Sequence, residues 1–159
     1  MEIRPMTADD VDEVSRLYVR SWQAGYKGLL PHDYLDSLSC ERWQIAFSGQ
    51  SGSFVLTEGG VIAGHSNARP AADPKMPGWG EVHTLYVLPE YWRRGFGTAL
   101  LDNSVQWLKG KGFDRIYLWA LEGNIPARRL YERYGFSASG DTIQCPIGNV
   151  QVTEVRYVI

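Results

Sequence analysis

Cysteine is scarce and poorly placed for cross-linking. The 159 residues hold two, Cys40 and Cys145, far apart and with no C-x-x-C spacing. A disulfide framework is therefore set aside, and reduced structural thiols in a cytoplasmic protein are expected. Excess charge is missing too: 16 basic and 18 acidic residues leave a formal charge of −2, which gives no reason to expect nucleic acid or an anionic membrane as partner. No apolar run approaches the roughly 18 residues of a membrane-spanning helix, and the N-terminus has no basic-then-apolar signal pattern. His32, His65 and His83 show neither H-x-H nor H-x-x-x-H spacing and have no neighbouring cysteine, so no metal site is expected. There is no repeat, low-complexity tract or linker. A single domain over residues 1–159 is expected, with 44% apolar residues to build its core.

What the chain does have is centred on GEVHTLYVLPEYWRRGFGTALL, Gly80 to Leu101. Val82, Leu85, Tyr86, Val87 and Leu88 read as a strand that Pro89 ends. Arg93, Arg94, Gly95, Phe96, Gly97 and Thr98 then enter a segment whose Leu100, Leu101, Val105 and Leu108 lie on one helical face. Free backbone N–H groups, the positive end of the helix dipole and close approach at glycine make such a junction an anion cradle. A G-x-G alone would also serve a tight turn, but two arginines before it suit a diphosphate better. A dinucleotide fingerprint would need three glycines directly after the strand, and a P-loop would need G-x-x-x-x-G-K-[ST]; neither is present.

The remaining elements follow from periodicity and punctuation. A first strand is expected at Glu2–Pro5, then a helix from an N-cap at Thr7, with Asp10 in the capping-box position, through Trp22. Gly25, Gly28 and Pro31 break it before a shorter helix near Asp33–Leu38. A helix over Glu41–Phe47 and a loop over Gly49–Gly52 come next. Ser53–Glu58 and Val61–Arg69 flank a Gly59-Gly60 hairpin turn. Beyond the central stretch come a helix from Thr98 to about Lys109 and an apolar strand over Arg115–Leu121. A Pro126-started helix ends at Gly135, and strands at Ala138–Cys145 and Val150–Val158 close the chain. The order β-α-α-β-β-β-α-β-α-β-β is an α/β arrangement with a mixed sheet flanked by helices.

VLPEYWRRGFGTAL resembles motif A, the acyl-coenzyme A signature of the GNAT superfamily of N-acetyltransferases. Arg94, Gly95, Phe96 and Gly97 match its last four positions, while Trp92 stands where Gln or Arg is usual. LEGNIPARRLYERYGF resembles motif B through Asn124, Ala127, Tyr131, Gly135 and Phe136. The resemblance covers about Leu56 to Phe136 well and the N-terminal helices loosely. It implies a splayed sheet in which the strands ending at Leu88 and Leu121 part to admit a pantetheine arm along exposed backbone groups. It also implies acetyl-CoA as acyl donor, held by Leu85, Tyr86, Val87, Arg93, Arg94, Gly95, Phe96, Gly97, Thr98, Asn124, Ala127 and Tyr131.

For the reaction, the resemblance points to Glu81 as base for an ammonium acceptor. Strand alternation puts His83 on the same face, so the two could form a base-and-relay pair, or His83 could be the base. Alternatively Glu81 caps a strand start and His83 is a satisfied sheet histidine. Tyr131 matches the tyrosine that protonates or hydrogen-bonds the departing thiolate, and is otherwise a core aromatic. A backbone N–H near Val87, where the family has a strand bulge, is the expected oxyanion donor. The acceptor is expected to be a small-molecule or peptide amine, with Trp22, Tyr26 and Trp79 as aromatics on its side. A non-catalytic acyl-CoA sensor is the competing reading. The C-terminal strand Val150–Ile159 is expected to offer an edge for a homodimer.

Overall fold

In a computed structural model, which describes residues 1–41 and 52–159, seven strands form one sheet in the order β1-β2-β3-β4-β5-β7-β6. The strands are β1 (Glu2–Pro5), β2 (Ser53–Glu58), β3 (Val61–Pro70), β4 (Gly80–Val87), β5 (Ile116–Leu121), β6 (Ser137–Ile147) and β7 (Val150–Val158). The helices are α1 (Val11–Gly25), α2 (His32–Ser37), α3 (Phe96–Gly110) and α4 (Ile125–Tyr134). Apart from their end residues Glu41 and Gly52, the helix and loop expected over Glu41–Phe47 and Gly49–Gly52 lie outside the described residues.

Helix α1 begins later than its capping signal suggests. A short 3-10 turn, Ala8–Asp10, comes first. The buried Asp10 carboxylate accepts the Thr7 N–H at 2.8 Å and two Arg4 bonds at 2.7 and 2.8 Å, so Asp10 itself becomes the residue before the helix. Val14, Leu17 and Tyr18 then face the sheet with Val55, Ile62 and Leu88. Each such burial contributes on the order of 1.5–3 kcal/mol. On the opposite face α3 presents Leu101, Val105 and Leu108 to Val82, Ile116 and Leu118, and Tyr131 of α4 joins them. The sheet thus has α1 on one side and α3 with α4 on the other.

Two features of the sheet set up the site. Strands β4 and β5 are parallel but pair only at Gly80–Ile116 and Glu81–Tyr117; beyond these the sheet is open, as a splayed sheet requires. The second is a bulge. Asn67 faces Thr84 while Ala68 faces Val82, so the extra residue on β4 is His83, four positions before the Val87 expected to carry it. An extra residue reverses the alternation beyond it. Leu85 and Val87 therefore pack toward α3, and Tyr86 joins Tyr18 on the α1 face.

The expected C-terminal edge is corrected by the same topology. Strand β7 lies between β5 and β6, antiparallel to both, and the edges are β1 and β6. The homodimer edge proposed for Val150–Ile159 is therefore already used within the chain. Among the described residues, no helix is long and apolar enough to cross a membrane.

Candidate active site

The cradle is built as its glycines require. Gly95 precedes α3 at φ 84°, in the left-handed region where glycine alone is unstrained. Arg93 adopts φ 60° beside it. Gly97 serves a different purpose: a Cβ there would come 3.2 Å from Leu130 Cδ2, so it lets α4 approach the first turn of α3. Arg94 lies 5.1 Å from the Tyr91 ring centroid and 5.2 Å from that of Phe96, which holds its guanidinium at the helix N-terminus. Trp92, the departure from the motif, has a structural task. Its Nε1–H donates to the Val87 carbonyl at 2.7 Å, pinning the cradle loop to the end of β4.

The open side of β4 supplies backbone groups. Leu88 N–H donates to Ala63 O of β3 at 2.9 Å. Because strand residues alternate in direction, Leu85 and Val87 turn their N–H groups the other way, toward the gap left by β5. The Val87 carbonyl is taken by Trp92 and, at 3.3 Å, by Ser21 Oγ. Its N–H faces the gap.

The two phenols at this gap come from opposite faces. Tyr131, 8% exposed, packs with ring centroids 6.4 Å from Phe136 and 6.0 Å from Tyr157. Burial, and then the nearby Tyr86, raise its phenol well above the ordinary value. Tyr86 in turn is raised by burial and drawn partly back by the Tyr26 hydroxyl and Trp22 indole. Trp22 and Tyr26 stack edge to face at 4.8 Å, so these two expected acceptor-side aromatics do come together. Trp79 does something else, lying under the Arg115 guanidinium at 5.0 Å. Asn124 caps α4, its Oδ1 accepting Ala127 N–H at 3.3 Å.

Glu81 and His83 share a face, as alternation predicted, but with a partner that spacing did not reveal. Arg69, opposite Glu81 on β3, donates from Nε to Glu81 Oε2 at 2.9 Å and from Nη2 to Oε1 at 3.3 Å. Its Nη2 also lies 2.9 Å from His83 Nδ1, which is itself 3.4 Å from Glu81 Oε1. Burial alone would raise the Glu81 carboxyl; the bonds from His83 and Arg69 outweigh it and lower the pKa to about 2. A carboxylate so strongly held is a weak proton acceptor. A second carboxylate went unnoticed in the sequence. Glu154 of β7, opposite Leu121 of β5, is half-buried, and burial raises its pKa, with His83 pulling it back. The visible signal was an acidic residue inside an otherwise mostly apolar strand, VQVTEVRYV.

A glycine-turned helix N-terminus beside two parted parallel strands fits a pyrophosphate joined to a chain of amides, and that pair of features defines an acyl-CoA-dependent transferase. The acetyltransferase (GNAT) family model matches residues 11–136, and the chain belongs to that family. It is 30% identical over 135 residues to an uncharacterized N-acetyltransferase, YuaI, of Bacillus subtilis, covering 83% of this chain and 78% of the relative. It is 28% identical to the phosphinothricin N-acetyltransferase of Streptomyces viridochromogenes, over 88% of this chain and 76% of that one. In fold it is similar to a PaiA N-acetyltransferase from Thermoplasma acidophilum solved with coenzyme A, with TM-score 0.73, 20% identity and 96% of each chain covered. The ribosomal-protein-S18-alanine N-acetyltransferase of Escherichia coli superposes with TM-score 0.71 at 20% identity, over 99% of this chain and 92% of that one. The chain is thus an N-acetyltransferase that uses an acyl-CoA, and the non-catalytic sensor is not carried forward.

Proposed function

We propose that the chain transfers an acetyl group from acetyl-CoA to a primary amine by direct attack, with no acyl-enzyme. The observation that carries this reading is the parting of β4 from β5 after two paired residues, beside the Gly95-led start of α3. The N–H groups at the start of α3, with Arg93 and Arg94, would hold the pyrophosphate, and the gap-facing backbone groups of Leu85 would hold the pantetheine, bringing the thioester to Val87. Bound there, the thioester supplies an activated acyl carbon.

The protein's own residues do the rest. Val87 N–H donates to the oxygen on which charge develops. Tyr131, protonated at any assay pH because burial raises it, donates a hydrogen bond to the departing sulfur. Ordinary phenol and thiol values are close, but burial separates them, so Tyr131 stabilises the thiolate more than it neutralises it. Glu81, held low by Arg69, orients His83. The His83 imidazole, held beside Glu81 and Arg69, takes the amine proton, directly or through water. Neither cysteine takes part.

Thiol release from acetyl-CoA tests the proposal. Wild type and Tyr131→Phe are assayed with pools of polyamines, amino acids, aminoglycosides and short peptides. Release with one pool, largely lost in the variant, supports the reading and names the acceptor class. Tight acetyl-CoA binding with silence on every pool would overturn amine acetylation.

A further inference from the structure

Buried carboxylates in this protein are paired. Asp10 is held by Arg4 at 2.7 Å, Glu81 by Arg69 at 2.9 Å, and the half-buried Asp73 by Arg156 at 2.7 Å. This is the usual rule, since an unpaired charge away from water is costly. Glu154 breaks it. Its side chain is half-buried, yet among the described residues no hydrogen bond or ion pair engages its carboxylate. Arg156, two residues on and on the same face, is turned to Asp73, and to Asp141 at 3.6 Å, and its guanidinium covers the Trp119 ring at 4.5 Å.

The surroundings of Glu154 are those of the acceptor side. Glu154 lies opposite Leu121, where β5 has already parted from β4, and its charge adds to burial, the main cause, in raising the Tyr26 and Tyr86 phenols. These are the aromatics already placed at the parted strands, on the face opposite α4. A groove of about 400 Å³ between the α1–α2 connection and β7, lined by Lys27, Leu29, Leu30, Leu35 and Val152 among others, reaches β7 at Val152. Val152 is two residues before Glu154 and so on the same face of β7.

Resting on the acetyl-transfer reading, we infer that Glu154 is the residue that receives the acceptor's ammonium group, so that the site selects alkylammonium acceptors over amines uncharged at neutral pH. The incoming cation supplies the partner that the fold withholds. The rings of Trp22, Tyr26 and Tyr86 add attraction for the same charge. The ammonium is thereby held within reach of His83 for loss of its proton.

Calorimetric titration of the CoA-loaded protein tests this with three probes: n-butylamine, its neutral counterpart n-butanol, and p-toluidine, an amine uncharged at pH 7. Wild type is expected to bind n-butylamine at least ten times more tightly than n-butanol. Glu154→Gln should weaken n-butylamine at least tenfold while leaving p-toluidine and CoA affinities unchanged, and Glu154→Asp should recover part of the loss. Thermal melts of both variants check that the fold is kept. Equal n-butylamine affinity in wild type and Glu154→Gln, or no n-butylamine binding by wild type, overturns the inference. Failure of acetyl transfer is seen separately: n-butylamine bound in a Glu154-dependent way, with no thiol released from acetyl-CoA on it or on any of the amine pools, would sink the catalytic reading and leave the ammonium site standing.

Discussion

A single hydroxyl carries much of the proposed chemistry, and a single imidazole carries much of the acid sensitivity. Tyr131→Phe keeps the ring that packs on Phe136 and Tyr157 and removes only the donor. Turnover is expected to fall by about 10²-fold or more, the range for losing one positioned acid, while calorimetry finds acetyl-CoA affinity unchanged. His65 is buried between Tyr18 Oη and Ser53 Oγ, each 2.8 Å from a ring nitrogen. Burial lowers its pKa from 6.5 to about 4. Because the folded value lies below the unfolded one, the stability His65 contributes is complete above about pH 6.5 and is lost as pH falls toward 4. The loss is about 1.4 kcal/mol per pH unit in that window. For a chain of this size that is roughly 4 °C in melting temperature per unit. Melting curves of wild type should show this slope between pH 6.5 and 4.5, and those of His65→Gln should be nearly flat there, from a lower starting point. Neither His65's partners nor Glu81's Arg69 were visible in the sequence, since each comes from another strand or helix.

At the scale of elements, α3 and the strand before it decide how the cofactor end is shaped. The neighbouring β3 meets α3 closely at Gly64, where a Cβ would sit 2.7 Å from Leu100 Cδ1 and 3.1 Å from the Tyr86 carbonyl. Leu100 is fully buried and has nowhere to go. Gly64→Ala should therefore destabilise by about 1–3 kcal/mol, the usual cost of overpacking, read as a lower urea midpoint. Trp92 ties the cradle loop to Val87. Trp92→Phe keeps a ring and loses the N–H, and a net hydrogen bond of about 0.5–1.5 kcal/mol corresponds to a roughly two- to thirteenfold weaker acetyl-CoA affinity by calorimetry. Most element positions were legible from pattern: the strand at Gly80 and the Pro126-led start of α4 stand where punctuation put them, and α3 begins at Phe96, two residues before the expected Thr98, because Gly95 is its cap. The bulge at His83 was not, because a bulge depends on how the partner strand β3 is registered, and the one glycine of β4, Gly80, lies three residues before it.

Over the whole molecule, the order β5-β7-β6 ties the last residues of the chain into the core. Tyr157 is fully buried, with its hydroxyl bonded to Glu132 at 2.7 Å and to Arg128 at 2.9 Å. A chain ending at Glu154 should accordingly lose cooperative unfolding, seen as a broad, shallow thermal transition by circular dichroism. A sharp transition in that truncated chain would mean that β7 is dispensable to the fold. The expectation of a free C-terminal edge failed for a reason of topology: β7 inserts between two strands that precede it, and nothing local distinguishes an inserted strand from an appended one.

Sequence alone determined the class of fold, the cradle and the second half of its signature, because a positive-φ glycine before a helix, a proline in a first turn and a periodic apolar face are requirements of the local backbone. Tertiary structure decided what those parts can do. It parted β4 from β5 after one short stretch of pairing, turned Tyr86 to the α1 face through the His83 bulge, and gave Glu81 to Arg69. Among the described residues, it also left Glu154 without a hydrogen-bond or ion-pair partner. Each of these depends on which distant strand lies alongside, and the balance of burial and pairing that sets a carboxylate's behaviour exists only once those strands have met.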